Sequence, residues 1–424
     1  MINPKYFRSH FDEVKKNCEN RNLRLDLDEI RRLDEKRQKL DLEVQEIQRK
    51  RNEIAKAMKG PMEKEKRMAL VEEGKALKEE ESQKKEELHK VEERFYELFS
   101  QIPNLTHPDS PVGKTDDDNR EIRRWGKIPS FSFSPRDHVE IGEKRGWLDF
   151  EGGAKVAGSK FYYLRQELVL LEFALIRFAL DILLEEGFQI YTTPDLARQE
   201  IVEGIGFNPR GEESQIYSIA PPHNLCLIGT AEITLGGLFQ DTIFEADQLP
   251  LLLGGVSHCF RTEAGSHGKV SKGLYRVHQF TKVEMFAYTL PEESEAMHQR
   301  FLEIEEKIYQ TLEIPYRVVD VCTGELGGPA YRKFDIEAWM PGRGEGGEWG
   351  EITSTSNCTD YQARRLKIRF KRDKKSKTEL VHMLNGTAIA ISRTLIALME
   401  NFQQEDYTIK VPKALQKYVG REIL

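Results

Sequence analysis

The stretch from Asp26 to Ser100 constrains the fold of this chain more than any other part of its sequence. Its 75 residues include 19 Lys or Arg and 21 Asp or Glu, with almost no glycine or proline outside Gly60-Pro61. This composition is typical of a long, solvated helix. Because proline cannot continue a helix interior, we expect two helices that fold back on each other as an antiparallel hairpin, reaching roughly 45 Å at 1.5 Å per residue.

Both halves of this hairpin carry apolar residues at alternating intervals of three and four, which is the pattern of a coiled-coil seam. The segment around the turn, from Arg49 to Arg67, has eight basic and three acidic residues. These cations either form a solvated helix face or are offered to a phosphate backbone, and periodicity does not choose between the two interpretations. The seam residues are Ile30, Leu33, Leu40, Val44, Ile47, Ile54 and Met58 in the first half and Leu70, Leu77, Leu88, Val91, Phe95, Leu98 and Ile102 in the second.

Whole-chain composition narrows the class of protein. The 424 residues have a formal net charge of −7, which argues against a simple nucleic-acid binder, although eight basic and three acidic residues make the turn segment +5. The most apolar run, Leu168 to Leu184, contains three charged residues, so it predicts a buried helix and no membrane span.

The N-terminus lacks signal and transit features, which predicts a cytoplasmic protein. Five scattered cysteines without a C-x-x-C pair predict reduced, structural thiols and no zinc site.

The chain beyond residue 110 contains strand-like stretches separated by turn signals, without the regular strand and helix alternation of a doubly wound fold. We therefore predict an α+β domain built on a mainly antiparallel sheet. No phosphate-binding glycine loop of the Walker or dinucleotide type follows a strand. The predicted strands are 160–164, 188–192, 225–229, 251–260, 277–288, 317–322 and 333–339.

Charged residues occur on two of these strands where a simple sheet would be apolar. Arg261 and Glu263 follow an apolar strand and point to the same side, and a basic loop with Lys269 and Lys272 comes next. The returning strand then has one polar and aromatic face, which we predict to be a surface and not a core face. A cross-strand ladder of salt bridges is the alternative interpretation. This face consists of His278, Phe280, Lys282, Glu284 and Phe286.

Further along the chain, Asn385-Gly386-Thr387 is predicted to open a helix, with Arg393 standing off its apolar stripe. A lone arginine in that position is usually a surface residue. The apolar stripe is Ala388, Ile391, Leu395, Leu398 and Phe402.

These segments resemble motifs 2 and 3 of the class II aminoacyl-tRNA synthetases, at residues 256–286 and 384–402, and residues 187–194 look like motif 1, the dimer-interface strand. The likeness narrows to the seryl-tRNA synthetases of bacterial or organellar type, which also have an N-terminal coiled-coil arm. The segments that carry it are Gly229-Thr-Ala-Glu232, Phe260-Arg-Thr-Glu-Ala-Gly-Ser266, Arg276-Val-His-Gln-Phe-Thr-Lys-Val-Glu284, Glu351-Ile-Thr-Ser-Thr-Ser-Asn357 and Leu384-Asn-Gly-Thr-Ala388.

The resemblance implies an antiparallel sheet core flanked by helices in a catalytic domain of residues 111–424. It also implies a tRNA-binding domain of residues 1–110 that carries a helical hairpin arm at about 27–102. Such a protein would be a homodimer and would use its arm on the long variable arm of tRNA(Ser). The run 364–377, with nine basic residues and one acidic residue, is then either a solvated loop or a contact for the tRNA acceptor stem.

The resemblance also implies roles for single residues in an ATP site. Arg261 would hold the α-phosphate and Arg393 the γ-phosphate, while Glu263 would bind the adenine amine and Phe280 would stack on the base. Glu351 with Ser354 would coordinate Mg²⁺, a hard ion that prefers oxygen ligands. The implied ATP-binding set is Arg261, Thr262, Glu263, Val277, Phe280, Glu351, Ile352, Thr353, Ser354 and Arg393, with Arg261, Glu351 and Arg393 as catalytic residues.

The implied serine-binding residues are Thr230, Ala231, Glu232, Glu284 and Thr387. The implied reaction makes seryl-adenylate and pyrophosphate from L-serine and ATP, and then transfers serine to the 3′-terminal adenosine of tRNA(Ser), with tRNA(Sec) as a further candidate. One alternative is a catalytically inactive paralogue that binds RNA or regulates. Another is a coiled-coil structural protein with a globular head, which explains the arm but not the charged sheet face.

Overall fold

The computed structural model describes residues 1–208, 215–264 and 272–424. These residues divide into two compact units, Met1 with Asn3–Pro103 and Ile2 with Asn104–Leu424. Gly265 and Ser266 of the arginine-bearing motif and Lys269 of the basic loop lie outside the described residues. The division of roles at residue 110 stays a prediction.

The first unit is helical and is dominated by a long hairpin. Ion pairs from Lys36 to Glu87 and from Lys84 to Glu43 join the two long helices in antiparallel order. The predicted coiled-coil arm is therefore confirmed, although its second helix ends at residue 99 and not near 102. The helices are α1 (Pro4–Ser9), α2 (Phe11–Asn20), α3 (Leu27–Ala57) and α4 (Lys64–Phe99).

The seam of this hairpin is best buried away from the turn. Ile30, Val44 and Phe95 are buried, whereas Ile54 and Leu77, nearer the turn, are only half-buried. The turn contains Gly60-Pro61, as predicted, because proline cannot donate the backbone hydrogen bond that a continuing helix needs.

The second unit contains the remaining described helices and strands. Its helices are α5 (His138–Lys144), α6 (Phe150–Ala157), α7 (Glu167–Glu185), α8 (Gln199–Ile205), α9 (Ala231–Gly237), α10 (Ser294–Thr311), α11 (Tyr361–Leu366), α12 (Ile391–Asn401) and α13 (Lys413–Val419). Its strands are β1 (Arg120–Trp125), β2 (Leu148–Asp149), β3 (Tyr163–Leu164), β4 (Gln189–Thr192), β5 (Leu196–Arg198), β6 (Leu225–Leu227), β7 (Ile243–Glu245), β8 (Leu251–Phe260), β9 (Gln279–Thr289), β10 (Tyr316–Asp320), β11 (Arg332–Met340), β12 (Glu348–Asn357), β13 (Arg369–Lys371), β14 (Glu379–Leu380) and β15 (His382–Ala390).

An eight-stranded sheet forms the centre of this unit, in the order β1-β10-β11-β12-β15-β9-β8-β4. Neighbouring strands run antiparallel except the edge strand β4, which is parallel to β8. β8 and β9 pair without interruption from Leu251 opposite Tyr288 to Phe260 opposite Gln279. This confirms the predicted α+β architecture with an antiparallel-dominated sheet.

The two faces of β9 join different parts of the interior, because successive side chains of a strand point to opposite sides. Val283 and Met285 belong to the main core, which also contains residues of α7, α10 and α12. Phe286 and Tyr288 belong to a second core on the other face. The prediction that Phe286 lies on a polar surface is therefore wrong, and the polar part of that face ends at Glu284.

The structure corrects the start of the motif 3 helix. Asn385-Gly386-Thr387 lies inside β15, with Asn385 opposite Phe286 and Thr387 opposite Glu284, and α12 begins only at Ile391. β12 was not predicted as a strand, although it pairs with β11 on one side and β15 on the other. β15 is a strand because it pairs with the distant β9, whereas the polar composition of β12 hides its pairing with the preceding strand, so local propensity does not report either segment.

The basic run 364–377 is not one solvated loop. It includes the end of α11 and all of β13, and Arg372 forms ion pairs of 2.7 Å with Glu292 and with Glu379. The five cysteines are buried thiols. In the described parts of the chain, no helix combines the length and the apolar character that crossing a membrane requires.

Candidate active site

The β8–β9 hairpin presents an arginine and an aromatic ring side by side. Arg261 follows directly after β8, and its Nε donates a hydrogen bond to the carbonyl oxygen of Gly229 at 3.2 Å. The guanidinium carbon of Arg261 lies 5.2 Å from the centre of the Phe280 ring on β9. His278 Nδ1 is 2.8 Å from the carbonyl oxygen of Arg261. A cation and a flat apolar surface are thus held at one place, and both are suited to binding a nucleotide.

Glu263 reaches the same area from a tight corner of the chain. Its backbone is left-handed, with φ of 54°, and only 7% of its side chain is exposed. Its Oε2 accepts a hydrogen bond from Arg276 Nη1 at 2.5 Å. This charge-assisted bond fixes the carboxylate on the wall of the site.

Glu351 of β12 and Arg393 of α12 form the opposite wall. Arg393 Nη1 lies 3.0 Å from both the carboxylate and the carbonyl oxygen of Glu351, and its guanidinium carbon is 4.7 Å from the centre of the Tyr275 ring. Burial acts to raise the pKa of Glu351, but the positive charges of Arg393, Lys333 and Arg261 outweigh it and lower that pKa. Glu351 therefore remains an anion between cations.

These side chains line one open cavity. Thr262 and Ser354 of the predicted ATP set are not part of this lining, and Ser354 lies opposite Asp335 in the register of β11 and β12. The predicted site residues in the lining are Arg261, Glu263, Val277, Phe280, Glu351, Ile352, Thr353, Thr387 and Arg393. The unpredicted ones are Tyr275, Arg276, Lys282, Ala390 and Ser392.

The predicted serine-binding residues gather in a buried pocket beside this cavity. Thr230 caps α9, whose first residue is Ala231, by accepting a hydrogen bond from the backbone N–H of Glu232 at 3.1 Å. Lys282 of β9 forms an ion pair with Glu284, and its Nζ donates to Thr230 Oγ1 at 2.9 Å. The same Nζ lies 3.4 Å from the hydroxyl of Thr387. The side chains of one lysine, one glutamate and two threonines therefore converge.

Glu232 closes this pocket from another side. Its Oε1 accepts hydrogen bonds from Gln362 Nε2 at 2.7 Å and from Asn385 Nδ2 at 3.0 Å. Burial, together with the nearby charge of Glu284, raises the pKa of Glu232 to about 7. The carboxyl group is thus poised to titrate near neutral pH.

Oxygen atoms around Glu351 fit a hard cation that takes few protein ligands. The Glu351 side chain is 44% exposed, and Asp335 has a buried Oδ1 with no hydrogen-bond partner among the described residues. Within those residues, no group of three or more His, Cys, Asp or Glu side chains is arranged to hold a metal ion. Mg²⁺ commonly takes one or two carboxylates and completes its shell with phosphate and water oxygens, so this donor set suits Mg²⁺ bound together with a nucleotide.

The chain matches two families. Residues 217–402 match the tRNA synthetase class II core domain (G, H, P, S and T), and residues 1–106 match the seryl-tRNA synthetase N-terminal domain. It is 54% identical to a protein of Rubrobacter xylanophilus named serine–tRNA ligase, covering 100% of this chain and 99% of that protein. A Treponema denticola protein of the same name is 53% identical, covering 99% of each chain. The chain belongs to the seryl-tRNA synthetase family.

Solved structures of this family have the same fold. A crystal structure of the Pyrococcus horikoshii seryl-tRNA synthetase complexed with ATP is 39% identical, with a TM-score of 0.89, and covers 100% of this chain and 99% of that one. A Naegleria fowleri cytoplasmic serine–tRNA ligase in complex with AMP is 32% identical, with a TM-score of 0.85, and covers 99% of this chain and 96% of that one. The predicted class II synthetase fold with an N-terminal helical arm is confirmed.

Three members of the pocket were not assigned a role from the sequence. Lys282 belongs to the polar face predicted for its strand, and its two-residue spacing from Glu284 is the signal that the sequence offers. Gln362 and Asn385 come from α11 and β15, and only the tertiary fold brings them to Glu232. In this family member, the sheet and two short helices together build the pocket.

Proposed function

We propose that this protein is a serine–tRNA ligase. It activates L-serine with ATP to give seryl-adenylate and pyrophosphate, and then transfers serine to the 3′-terminal adenosine of tRNA(Ser). The observation that supports this most strongly is the open cavity between Arg261 and Arg393, next to the pocket of Thr230, Glu232 and Glu284. A cytoplasmic location stays a prediction of the N-terminal sequence.

In the first step, a serine carboxylate oxygen attacks the α-phosphorus of ATP, and the bond from that phosphorus to the bridging oxygen of pyrophosphate breaks. The fork of Arg261 stabilises the charge that develops on the α-phosphate, and Arg393 binds the γ-phosphate. Phe280 stacks on the adenine, and Glu263 accepts from its amine. Val277, Ile352 and Thr353 complete the nucleotide walls, and Thr262 belongs to the same proposed set. No side chain needs to become a nucleophile, since positioning and charge stabilisation suffice.

Glu351 and Ser354 are the residues proposed to hold Mg²⁺ with ATP. The ion, when bound, neutralises charge on the departing pyrophosphate. The contact between Arg393 and Glu351 orients the carboxylate toward the cavity. Asp335 lies opposite Ser354 in the register of the neighbouring strand.

Serine is proposed to bind through its ammonium and hydroxyl groups. Glu232 and Glu284 offer carboxylates to these donors, Thr230 and Thr387 offer hydroxyls, and Ala231 joins them as the first residue of α9. A site built to hydrogen-bond a substrate hydroxyl rejects analogues without it by roughly 10⁴-fold, because its own polar groups are left unpaired. Alanine and glycine are therefore rejected without editing.

The arm is proposed to bind tRNA through the basic side chains near its turn. Lys56, Lys59, Lys64, Lys66 and Arg67 are all exposed there. Exposed cations at the end of a long helical hairpin suit a phosphate backbone, which they bind through charge without reading the base sequence.

The protein is also proposed to be a homodimer. Leu170, Phe173 and Leu184 on the outer side of α7 are 49%, 65% and 54% exposed, and α7 packs beside the edge strand β4. In a monomer, an exposed apolar stripe next to an open sheet edge would promote aggregation. The same features suit an interface between two copies of the chain.

The test is amino-acid-dependent exchange of pyrophosphate into ATP, measured with all twenty amino acids. We expect serine to give the dominant signal, and a larger signal with another amino acid contradicts the proposal. The inactive-paralogue alternative predicts no exchange at all. It is disfavoured because Arg261, Glu263, Glu351 and Arg393 are all present and line one cavity.

A further inference from the structure

Lys282 is a buried cation in the middle of the proposed serine pocket. Only 5% of the residue is exposed, although lysine is almost never fully buried without a partner. Its ammonium forms an ion pair with Glu284, lies 2.9 Å from Thr230 Oγ1 and lies 3.4 Å from Thr387 Oγ1. An ammonium has three donors, so these three acceptors match them in number.

The same three acceptors are the ones proposed to receive the ammonium and hydroxyl of serine, so this inference rests on the proposed function. In the structure, Lys282 already satisfies them. Burial raises the pKa of Glu284, and the charge of Lys282 acts against that rise. The lysine thus supplies the countercharge that a buried carboxylate requires before any substrate is present.

The balance of charge decides what can enter such a pocket. Glu284 and Lys282 together are neutral, and the charge of Glu232 on the other side is balanced by that of Arg261, which acts on both carboxylates. A zwitterionic amino acid adds no net charge to this set. A bare ammonium compound adds one positive charge beside the lysine, where low dielectric strengthens repulsion.

We propose that Lys282 is a specificity-determining residue, which pairs Glu284 in the pocket and thereby selects zwitterionic amino acids over compounds that carry only an ammonium group. A purely structural ion pair is the competing explanation. It predicts that removal of the lysine weakens or strengthens all ligands alike.

The two explanations separate in a comparison of L-serine with L-serinamide, which keeps the hydroxyl and the cation but replaces the carboxylate by a neutral amide. The dissociation constants of both ligands are measured by calorimetry, at neutral pH, on the wild type and on Lys282→Met. We expect the preference for serine over serinamide to fall at least tenfold in Lys282→Met. Lys282→Arg, which keeps the charge, should retain most of the preference. Lys282→Gln carries the same prediction if the methionine variant does not fold.

Arg317→Met is the matched control, because Arg317 is also a cation on the central sheet but pairs with Glu337, at 2.5 Å, instead of Glu284. Its ligand preference should stay near that of the wild type. A preference that changes by less than threefold in both Lys282→Met and Lys282→Gln overturns the inference. Serine-dependent exchange by the wild type is measured separately, so an enzyme that activates serine but shows no change in preference disproves only the role of Lys282. If the wild type does not activate serine, the proposed function fails, and the calorimetric comparison still decides whether Lys282 excludes bare cations.

Discussion

The arm and the central sheet use the same charged residue types in opposite ways. On the arm, Lys36 and Glu87 pair at 2.9 Å while 53% and 44% of their side chains remain exposed. In the sheet, Lys282 and Glu284 pair with only 6% and 2% exposed. Water screens the first pair and barely reaches the second, so the two contacts have different consequences.

This difference in burial shows where one charged residue affects stability or binding by itself, and where only the total charge of a surface has an effect. Exposed pairs such as those of α3 and α4 contribute little each, because solvent competes for both partners. Together they leave a solvated lever whose basic end can attract a polyanion. Each buried charge in the sheet instead needs a particular partner, and loss of that partner is costly. Substitutions of matched residue types in the two regions test this contrast directly.

The largest effect is expected for Arg393→Gln in the sheet unit. Loss of the guanidinium removes the proposed γ-phosphate contact and leaves Glu351 without its partner at 3.0 Å. Serine-dependent pyrophosphate exchange should fall by roughly 10² to 10³-fold. The matched control is Arg94→Gln on the arm, where Arg94 pairs with Glu29 and Glu97 at the surface. Equal losses in the two variants would contradict the contrast.

The second effect concerns the arm as a whole. Removal of residues 45–82, with a short Gly-Ser turn joining the helices just beyond the pair Glu43–Lys84, deletes the basic end but keeps the base of the hairpin. Charging of tRNA(Ser) should fall by at least about 10²-fold, because the contacts to phosphate are lost. Pyrophosphate exchange should remain within about twofold, since it needs no tRNA. Normal charging by this variant would remove the proposed role of the arm.

A third effect depends on pH. Burial and the charge of Glu284 raise the pKa of Glu232 to about 7, so this carboxyl gains a proton as the pH falls through that value. The KM for serine should rise roughly tenfold between about pH 8 and about pH 6, because a neutral carboxyl attracts the ammonium less. The effect on stability has the opposite sign, since the raised pKa stabilises the folded protein at acidic pH and this contribution is lost as the pH rises through about 7.

Glu232→Gln removes the titrating group and should flatten the pH profile of KM. Glu245→Gln, an exposed glutamate at the end of β7, is the control and should leave the profile unchanged. A profile that keeps its full slope in Glu232→Gln assigns the titration to another group.

Sequence reasoning predicted the features that depend on local periodicity. The heptad spacing from Ile30 to Ile102 identified the arm, because a seam must repeat every seven residues to stay between two helices. The strand 251–260 was predicted with its exact bounds because it is an apolar run bounded by turns, and its partner, which has one polar and aromatic face, was predicted nearly so. The family resemblance then supplied roles for residues such as Arg261 and Arg393, which the fold brings to one cavity.

The missed features depend on contacts that no local pattern records. β12 is rich in Ser, Thr and Glu, and it is a strand because β11 and β15 pair with it. Asn385 was assigned to a helix, since the apolar spacing that follows it fits a helical period. Pairing with β9 makes Asn385 part of a strand, and its side-chain amide donates a hydrogen bond to Glu232 in the pocket. Polar residues inside a fold are therefore the part of the site that sequence describes least.

The smallest effect should come from an exposed ion pair on the arm. Glu86 and Lys90 lie 2.7 Å apart, but 69% and 70% of their side chains are exposed. Glu86→Gln should move the midpoint of thermal unfolding by less than about 1 °C, because such pairs contribute almost nothing net.

Glu81 on the same helix is the comparison residue, since only 8% of its side chain is exposed and it contacts Arg51, Lys85 and Gln48. Those contacts, Lys85 first, lower the pKa of Glu81 to about 2. Glu81→Gln should lower the midpoint by roughly 2 to 4 °C. If both substitutions shift the midpoint equally, exposure does not decide how much a charged contact contributes to stability, and the contrast between the arm and the sheet needs another cause.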